Sequence, residues 1–274
     1  MRTNILKLLM LLFVASAIYS CEESEIEPEN PEENSDENQV AEETTIAELQ
    51  AGNYPTSNLW TITDEIIPDS AFYASDTSNL DISDRQISIT FPNTTEVGAY
   101  AFYSFTALTS IELPKATTVN EYAFAGCTSI TTADLSNITT FGTASFAYCT
   151  AMPTLEIPSA DSIAEKAFFH CTSLTSIEAS DATSIGDYAF YSCTTATTIE
   201  LPSVTSIGDL AFIGCKALTS LEVATEATLT SVGGYILAGV TTTNIDLTIG
   251  SDNDDIDTDE NTWNGYIFNS ITLK

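Results

Sequence analysis

The sequence predicts an α/β repeat solenoid, with a parallel sheet on one face and short helical or irregular segments on the other. Three features recur every 22 residues: a phenylalanine, a cysteine three residues after it, and a pair of apolar residues separated by one polar residue. A fixed period of about 20 to 50 residues is typical of stacked repeats, because one unit cannot bury its own apolar face. The phenylalanines are Phe102, Phe124, Phe146, Phe168, Phe190 and Phe212, and the cysteines are Cys127, Cys149, Cys171, Cys193 and Cys215.

Each 22-residue unit has a predictable course. The apolar pair, for example Ile199 and Leu201, predicts a strand of about three to five residues, and strands of adjacent units align in parallel about 4.8 Å apart. Prolines such as Pro202 follow the pair and end the strand. A third apolar position, such as Ile185, is often followed by a glycine such as Gly186, for which we expect a positive φ. The array contains about seven units.

We expect the chain to divide into five segments, as follows. Residues 1–20 form a signal peptide, with Arg2 and Lys7 before an apolar run too short to span a bilayer stably. Residues 21–45 form an acidic tether, since such a segment cannot bury enough apolar area to fold. Residues 46–87 form an N-terminal cap, 88–247 the repeat array and 248–274 a C-terminal cap, because the open ends of a solenoid expose its core.

The signal peptide ends in Ile18-Tyr19-Ser20-Cys21, which resembles a bacterial lipobox. The resemblance implies that Cys21 is diacylated and becomes the mature N-terminus. The acidic run directly after Cys21 resembles the surface-export signal of Bacteroidota lipoproteins, although it could also be a simple spacer. We therefore expect a lipid-anchored protein of the outer membrane that faces the cell exterior.

The repeated unit resembles a known family of bacterial surface proteins. The stretch from Ile199 through Pro202, Ile207 and Phe212 to Cys215 is similar to the BspA-type leucine-rich repeat, and the likeness covers roughly residues 88–247. Members of that family are typically surface adhesion or ligand-binding proteins, several of them associated with host matrix proteins. The resemblance implies a binding role and leaves the ligand open.

An acidic residue occupies the polar position between the two apolar residues in six consecutive units. If the apolar residues point inward, these carboxylates point outward in one row on the exposed sheet face. The row could bind divalent ions, basic protein segments or a polar glycan, or it could be a solvated surface that discourages sheet aggregation. The candidate ligand-binding residues are Glu112, Asp134, Glu156, Glu178, Glu200 and Glu222. We expect Asp246 to continue this row, and serines or threonines from Ser110 to Ser220 to flank it.

Neither the cysteines nor the single histidine indicates catalysis. A linear stack of thiols does not converge on a tetrahedral zinc site, so we expect buried free thiols, with disulfides between neighbouring units as the alternative. His170 occupies a variable repeat position without an orienting partner, which does not fit a nucleophilic triad. We predict a protein that is not an enzyme and that uses no cofactor.

A second acidic segment precedes the C-terminal end. Asp255, Asp257 and Asp259 begin like a calcium-binding loop, but Glu260 stands where that loop needs glycine. These residues are a weak calcium candidate beside the simpler interpretation of a solvated loop, and no metal site is predicted.

The balance of charge narrows the partners. With 39 acidic and 7 basic residues, the net charge is -32, which repels nucleic acid and anionic headgroups. The membrane is then contacted only through the lipid. The leading hypothesis is adhesion or binding to a host or neighbouring-cell surface or matrix protein through the exposed sheet face. The alternatives are a surface glycan-capture lipoprotein that serves nutrient uptake and a structural spacer without a defined ligand.

Overall fold

Two columns of short parallel strands make up most of the described structure. The computed structural model describes residues 41–51, 53–72, 85–223, 229–242, 245–249, 256–257, 262–264 and 266–273. The first column, here the first ladder, carries the apolar pairs. Its strands are β1 (Glu42–Thr44), β2 (Leu59–Ile62), β4 (Ile87–Thr90), β6 (Leu108–Glu112), β8 (Thr132–Asp134), β10 (Thr154–Glu156), β12 (Ser176–Glu178), β14 (Thr198–Leu201), β16 (Ser220–Val223), β18 (Asp246–Ile249) and β22 (Ser270–Leu273).

The second ladder carries the third apolar position of each unit. Its two-residue strands also pair in parallel with the units before and after them. They are β3 (Ile66–Ile67), β5 (Glu96–Val97), β7 (Thr118–Val119), β9 (Thr140–Phe141), β11 (Ser162–Ile163), β13 (Ser184–Ile185), β15 (Ser206–Ile207) and β17 (Ser231–Val232). The predicted fold is therefore confirmed: like positions of successive 22-residue units lie side by side.

Turns, and not helices, make the return side of each unit. In the part of the chain that the structure describes, the α-helix is α1 (Ile46–Gln50), which Thr45 caps through its side chain. The sequence predicted short helical or irregular segments on the return side, and the irregular form is the one confirmed. Near the C-terminal end, β19 (Ile256–Asp257), β20 (Thr262–Trp263) and β21 (Tyr266–Ile267) pair in an antiparallel sheet.

The repeated phenylalanines form the centre of the core. Their rings are fully buried and stack on one another, with centroid distances from 5.0 Å between Phe124 and Phe146 to 5.9 Å between Phe190 and Phe212. Each phenylalanine amide also donates to the next unit, as Phe146 N does to Ala167 O at 2.8 Å. Burial of these rings and of the apolar pairs stabilises the stack, because the hydrophobic effect scales with the apolar area removed from water.

Two residues in most units adopt the left-handed conformation, and they shape the turn that carries the phenylalanine. In one unit they are Tyr188 and Ser192, with φ of 57° and 58°. The same two positions in other units carry Tyr122 and Gly126, or Lys166 and His170, all with positive φ. This conformation costs a side-chain-bearing residue roughly 1–2 kcal/mol, so the packing and hydrogen bonds of the stack must hold it.

The glycines after the third apolar position serve a different purpose from the expected one. Gly142, Gly186 and Gly208 are not among the residues with positive φ, so that expectation was wrong. A Cβ atom on Gly186 would lie 2.5 Å from the backbone nitrogen of Glu165 in the preceding unit. Glycine is present here because consecutive units approach each other closely.

The first ladder is interrupted between β8 and β10, which fall in separate sheets. In other units the residue before this strand donates its amide to the unit below, as Thr131 N does to Thr109 O and Thr197 N to Thr175 O, both at 2.9 Å. Pro153 occupies this position ahead of β10 and has no N–H. The missing donor accounts for the interruption.

The ladders extend beyond the limits expected for the array, 88 and 247. Strands β1 and β2 continue the first ladder before residue 88, and β22 continues it after residue 247. Residues 1–20 and most of the 21–45 tether lie outside the described residues, but Glu42–Thr44 of that segment is the strand β1. The first ladder thus contains eleven described strands, more than the seven expected units.

Candidate functional site

The acidic row lies on the exposed face of the first ladder, here the sheet face. Its members are Glu112, Asp134, Glu156, Glu178, Glu200 and Glu222. Glu222 is half-buried and the others are exposed, while the apolar residues on either side, such as Leu155 and Ile157, are buried. The alternation of side chains in a strand explains this arrangement, since every second residue points to the same face.

Strand register brings most of these carboxylates next to one another. Glu156 pairs with Glu178, which pairs with Glu200, which in turn pairs with Glu222. Glu112 pairs with Asp134 at the end of the other sheet. The interruption at Pro153 therefore divides the row into a group of two and a group of four.

Both ends of the row differ from the sequence-based expectation. Asp246 pairs with Ser220, and Thr248 is the residue beside Glu222, so the expectation for Asp246 was wrong. Glu222 and Thr248 are 26 residues apart, so the longer connection between β16 and β18 adds four residues to the 22-residue spacing. At the other end, the pairing of β1, β2, β4 and β6 places Glu43, Thr61, Thr90 and Glu112 in line. Glu43 was missed because its unit lacks the repeated sequence pattern.

Hydroxyl groups hold several of these carboxylates. Thr90 Oγ1 donates to Glu112 Oε2 at 3.2 Å, Ser136 Oγ to Asp134 Oδ1 at 2.7 Å, and Ser180 Oγ to Glu178 Oε1 at 3.3 Å. Such bonds orient the carboxylate without neutralising its charge.

Threonines beside the row have a structural role. Except at Pro153, the residue just before each flanking serine or threonine is a threonine that donates its hydroxyl to a carbonyl of the preceding unit, as Thr197 Oγ1 does to Thr175 O at 3.0 Å. Thr109, Thr131, Thr175 and Thr219 make the same bond at 3.0 to 3.3 Å. This column therefore links successive turns of the solenoid.

The five cysteines are free and buried, as the default expectation held. Each thiol donates to the carbonyl of a phenylalanine 25 residues earlier, as Cys127 Sγ does to Phe102 O at 3.0 Å. Burial raises the pKa of Cys171 and of Cys215 to about 12 and that of the other three well above the usual value. Because the thiolate is the reactive form, we expect these side chains to act as core residues and to resist thiol reagents in the folded protein.

His170 lies in an aromatic cluster on the return side. Its ring stacks on Tyr148 at a centroid distance of 5.3 Å and lies 4.5 Å from the ring of Phe169. It is half-buried and has a φ of 58°, and the same position is glycine with a positive φ in three other units, at Gly126, Gly214 and Gly239. The calcium candidate is described only at Asp257, in β19, because Asp255 and Asp259 lie outside the described residues.

A groove on the return side, here the turn-face groove, was missed by the sequence-based analysis. Its volume is about 510 Å³. Aromatic side chains of Tyr103, Tyr122, Tyr148 and Phe169 line it, together with Ala125, Ala144 and Ala147. These alanines form a small apolar cluster apart from the main core, with Tyr103, Tyr122 and Phe169 packed against it.

Departures from the repeat create this groove. At the position of Tyr103, the following units carry Ala125, Ala147, Phe169 and Tyr191. At the position of Tyr122, the next unit carries Ala144 and a later one carries Tyr188. Small residues in the middle units leave a depression between larger aromatic side chains above and below. The signal was present in the sequence as a gap in two aromatic columns, but it needed the turn conformation to be interpreted.

Comparison with known proteins identifies the family. The BspA type leucine rich repeat region matches the chain in six copies, over residues 65–193 and 144–263. The chain belongs to the BspA-type leucine-rich repeat family. BspA-type repeat proteins are bacterial cell-surface proteins, and proteins of this fold typically act as binding scaffolds and not as enzymes. Within the described residues, no helix is long and apolar enough to cross a membrane.

Solved structures of bacterial leucine-rich repeat proteins are also similar to this BspA-type chain. A leucine-rich repeat protein of T. pallidum is 24% identical, over 53% of this chain and 72% of its own, with a TM-score of 0.48. A leucine rich cell surface protein of Faecalibacterium prausnitzii is 22% identical, over 76% of this chain and 64% of its own, also with a TM-score of 0.48. The pneumococcal vaccine antigen PcpA is 16% identical, over 71% of this chain and 57% of its own, with a TM-score of 0.37. A search of curated proteins finds no match.

Proposed function

We propose that this protein is anchored to the outer face of the outer membrane through lipidated Cys21 and binds a basic segment of a host or neighbouring-cell protein through its acidic row. The observation that carries the proposal is the register of Glu156, Glu178, Glu200 and Glu222, which places four carboxylates on adjacent strands of one open face. Strands lie about 4.8 Å apart, so the like charges repel one another and favour a cationic partner.

The charge of the whole chain supports the same type of partner. A net charge of -32 attracts basic protein segments over distances of about a Debye length, roughly 8 Å at physiological salt. An exposed row of side chains on a sheet suits an extended protein segment better than a small molecule, because small-molecule sites are usually concave. Lys and Arg side chains could reach several carboxylates of the row at once.

Removal of charge from the row tests this role. Intact cells that display either the wild type or the variant Glu156→Gln, Glu178→Gln, Glu200→Gln are used to capture basic matrix proteins from solution. At low salt, the variant should bind these proteins roughly tenfold more weakly than the wild type. The difference should shrink as salt is added, because exposed charges are screened.

A matched control variant removes the same number of charges elsewhere. Glu65, Asp161 and Asp181 are exposed and lie in the segments between a strand of the first ladder and the next strand of the second ladder, outside the row. Glu65→Gln, Asp161→Asn, Asp181→Asn should bind like the wild type. Unchanged binding by the row variant, or an equal loss in the control variant, would remove the row from the mechanism. Cys21→Ala should release the protein from the cells, and its retention in the membrane fraction would contradict the anchor.

A further inference from the structure

We propose that the turn-face groove is a second binding site, which takes a basic, proline-rich segment of a partner protein in the polyproline II conformation. The site lies on the return side of the solenoid and does not involve the acidic row. Its floor is apolar, and its walls are aromatic residues that come from four successive units, from Tyr103 in the first to Phe169 in the fourth.

The length of the groove suits a short extended peptide. Four successive units span three repeat spacings, which is roughly 14 Å at about 4.8 Å per unit. Polyproline II rises about 3.1 Å per residue, so about five residues fit along this distance. Such a segment has the length of one Pro-x-x-Pro turn with a flanking residue.

The aromatic walls provide the surface that proline rings need. The lining residue Tyr122 stacks on Tyr100 at a centroid distance of 4.9 Å, and the lining residues Tyr148 and Phe169 meet edge to face at 5.5 Å. Tyr148 is 50% exposed, so its ring is available to a ligand. The buried alanines Ala125, Ala144 and Ala147 add apolar surface to the lining, and Ser104 adds a hydroxyl group. Aromatic-lined grooves of this kind bind polyproline II because the ligand is already extended and loses little entropy.

The charges beside the groove favour a basic ligand. Glu121 and Glu165 are exposed and directly precede the lining residues Tyr122 and Lys166. Lys166, the one basic residue of the lining, forms an ion pair with Glu165, and its ammonium group lies 5.5 Å from the centre of the Tyr188 ring. Because Lys166 neutralises Glu165, it is Glu121 and the net charge of -32 that attract arginine or lysine beside the prolines and repel an anionic glycan.

The repeat itself supplies a variant that fills the groove without disturbing the fold. Ala147 occupies the position that carries Tyr103 and Tyr191 in other units, so Ala147→Tyr places there a residue that the turn already accepts. A matched control is Tyr235→Ala, which changes a tyrosine that is 75% exposed and lies at the position of Tyr188 in a later unit, outside the groove.

The probe is a fluorescent 12-residue peptide with two Pro-x-x-Pro turns and flanking arginines, added to the full chain at low salt. We expect saturable binding by anisotropy, a loss of at least about tenfold in Ala147→Tyr and in Phe169→Ala, and no change in Tyr235→Ala. A peptide with the prolines replaced by alanine, and one with the arginines replaced by glutamine, should each bind more weakly. Circular dichroism and the thermal midpoint of Ala147→Tyr should match those of the wild type.

Several results would overturn the proposal. One is the absence of binding by the peptide at millimolar concentration. Another is binding that Ala147→Tyr leaves unchanged. A third is that a neutral oligosaccharide from a test panel binds the wild type but not Ala147→Tyr. This outcome would show that the groove binds a sugar. The row variant Glu156→Gln, Glu178→Gln, Glu200→Gln should bind the peptide normally, so failure of the groove and failure of the acidic row are distinguishable.

Discussion

The sheet face and the turn face are built from the same 22-residue unit but use it in opposite ways. On the sheet face, repetition itself produces the surface, because Glu156, Glu178 and Glu200 stand at one position of consecutive units. On the turn face, the surface arises where repetition fails, because Ala144 and Ala147 replace the tyrosines of other units. In this solenoid, a position that carries the same type of residue in successive units therefore yields an extended charged row. A position whose residue changes from unit to unit yields a local groove.

The largest expected effect separates the core column from the turn face. Phe168 is fully buried and stacks between Phe146 and Phe190 at 5.6 Å on each side. Phe168→Ala should lower the free energy of unfolding by about 3–5 kcal/mol, because it removes a buried ring and leaves a cavity within the stack. The free energy of unfolding is measured by urea denaturation, with circular dichroism as the signal.

Tyr148→Ala is the comparison on the turn face. Its ring is half-exposed and lines the groove, so the free energy of unfolding should change by only about 0.5 kcal/mol. A similar loss in both variants would show that the turn-face aromatics are part of the core, and the distinction between the two regions would fail.

The buried cysteines give a pH-dependent test of the core column. Burial raises the pKa of Cys171 to about 12, whereas the pKa of a cysteine in the unfolded chain is near 9.0. The folded state therefore holds the proton at pH values where the unfolded state has lost it, and this part of the stability is complete below about pH 9 and is lost as the pH rises toward 12. Above pH 9, each such thiol should lower the free energy of unfolding by up to about 1.4 kcal/mol per pH unit.

Comparison of the wild type with Cys171→Ala between pH 8 and 10.5 isolates this contribution from the titration of tyrosines and lysines. The wild type should lose stability more steeply. In a variant that also carries Cys21→Ala, a thiol reagent at pH 8 should label the five buried repeat cysteines only after the protein is denatured. Rapid labelling of the folded chain would mean that the cysteine column is not buried.

Ser145 tests what a departure from the repeat does inside the core. Its hydroxyl is buried and meets no hydrogen-bond partner among the described residues, whereas other units carry alanine at this position, such as Ala123 and Ala167. Ser145→Ala should raise the free energy of unfolding by about 1 kcal/mol, because it removes an unsatisfied polar group. Ala167→Ser should lower it by a similar amount. A destabilised Ser145→Ala would indicate that the hydroxyl has a partner.

The stacking and the acidic row could be predicted because both follow from spacing alone. Once Phe124 and Phe146 are known to lie one above the other, Glu156 and Glu178 must do so as well. The interruption of the ladder was not predicted, although Pro153 is visible in the sequence, because its importance depends on which amide of the unit donates to the neighbour. The shift at Asp246 also required the structure, since an insertion does not reveal where the register resumes.

The turn-face groove could not be predicted for a different reason. The conformation of the two left-handed residues in a turn determines which side chains line the groove. In two of the turns, one of these residues is Tyr122 or Lys166 and not a glycine. Tyrosine and lysine give no sequence signal for positive φ, which is otherwise associated with glycine and asparagine. The role of Gly186 was misjudged for the same reason, because close approach between units is a property of the stack.

Hydrogen exchange of the full chain with and without the proline-rich basic peptide tests the central claim most directly, namely that departures from the repeat on the turn face form a binding site separate from the sheet face. The account predicts slower exchange in the turn segments 122–126, 144–148 and 166–170, which contribute to the groove, and no change in β10, β12 and β14. Slower exchange confined to those three strands, with the turn segments unaffected, would contradict it.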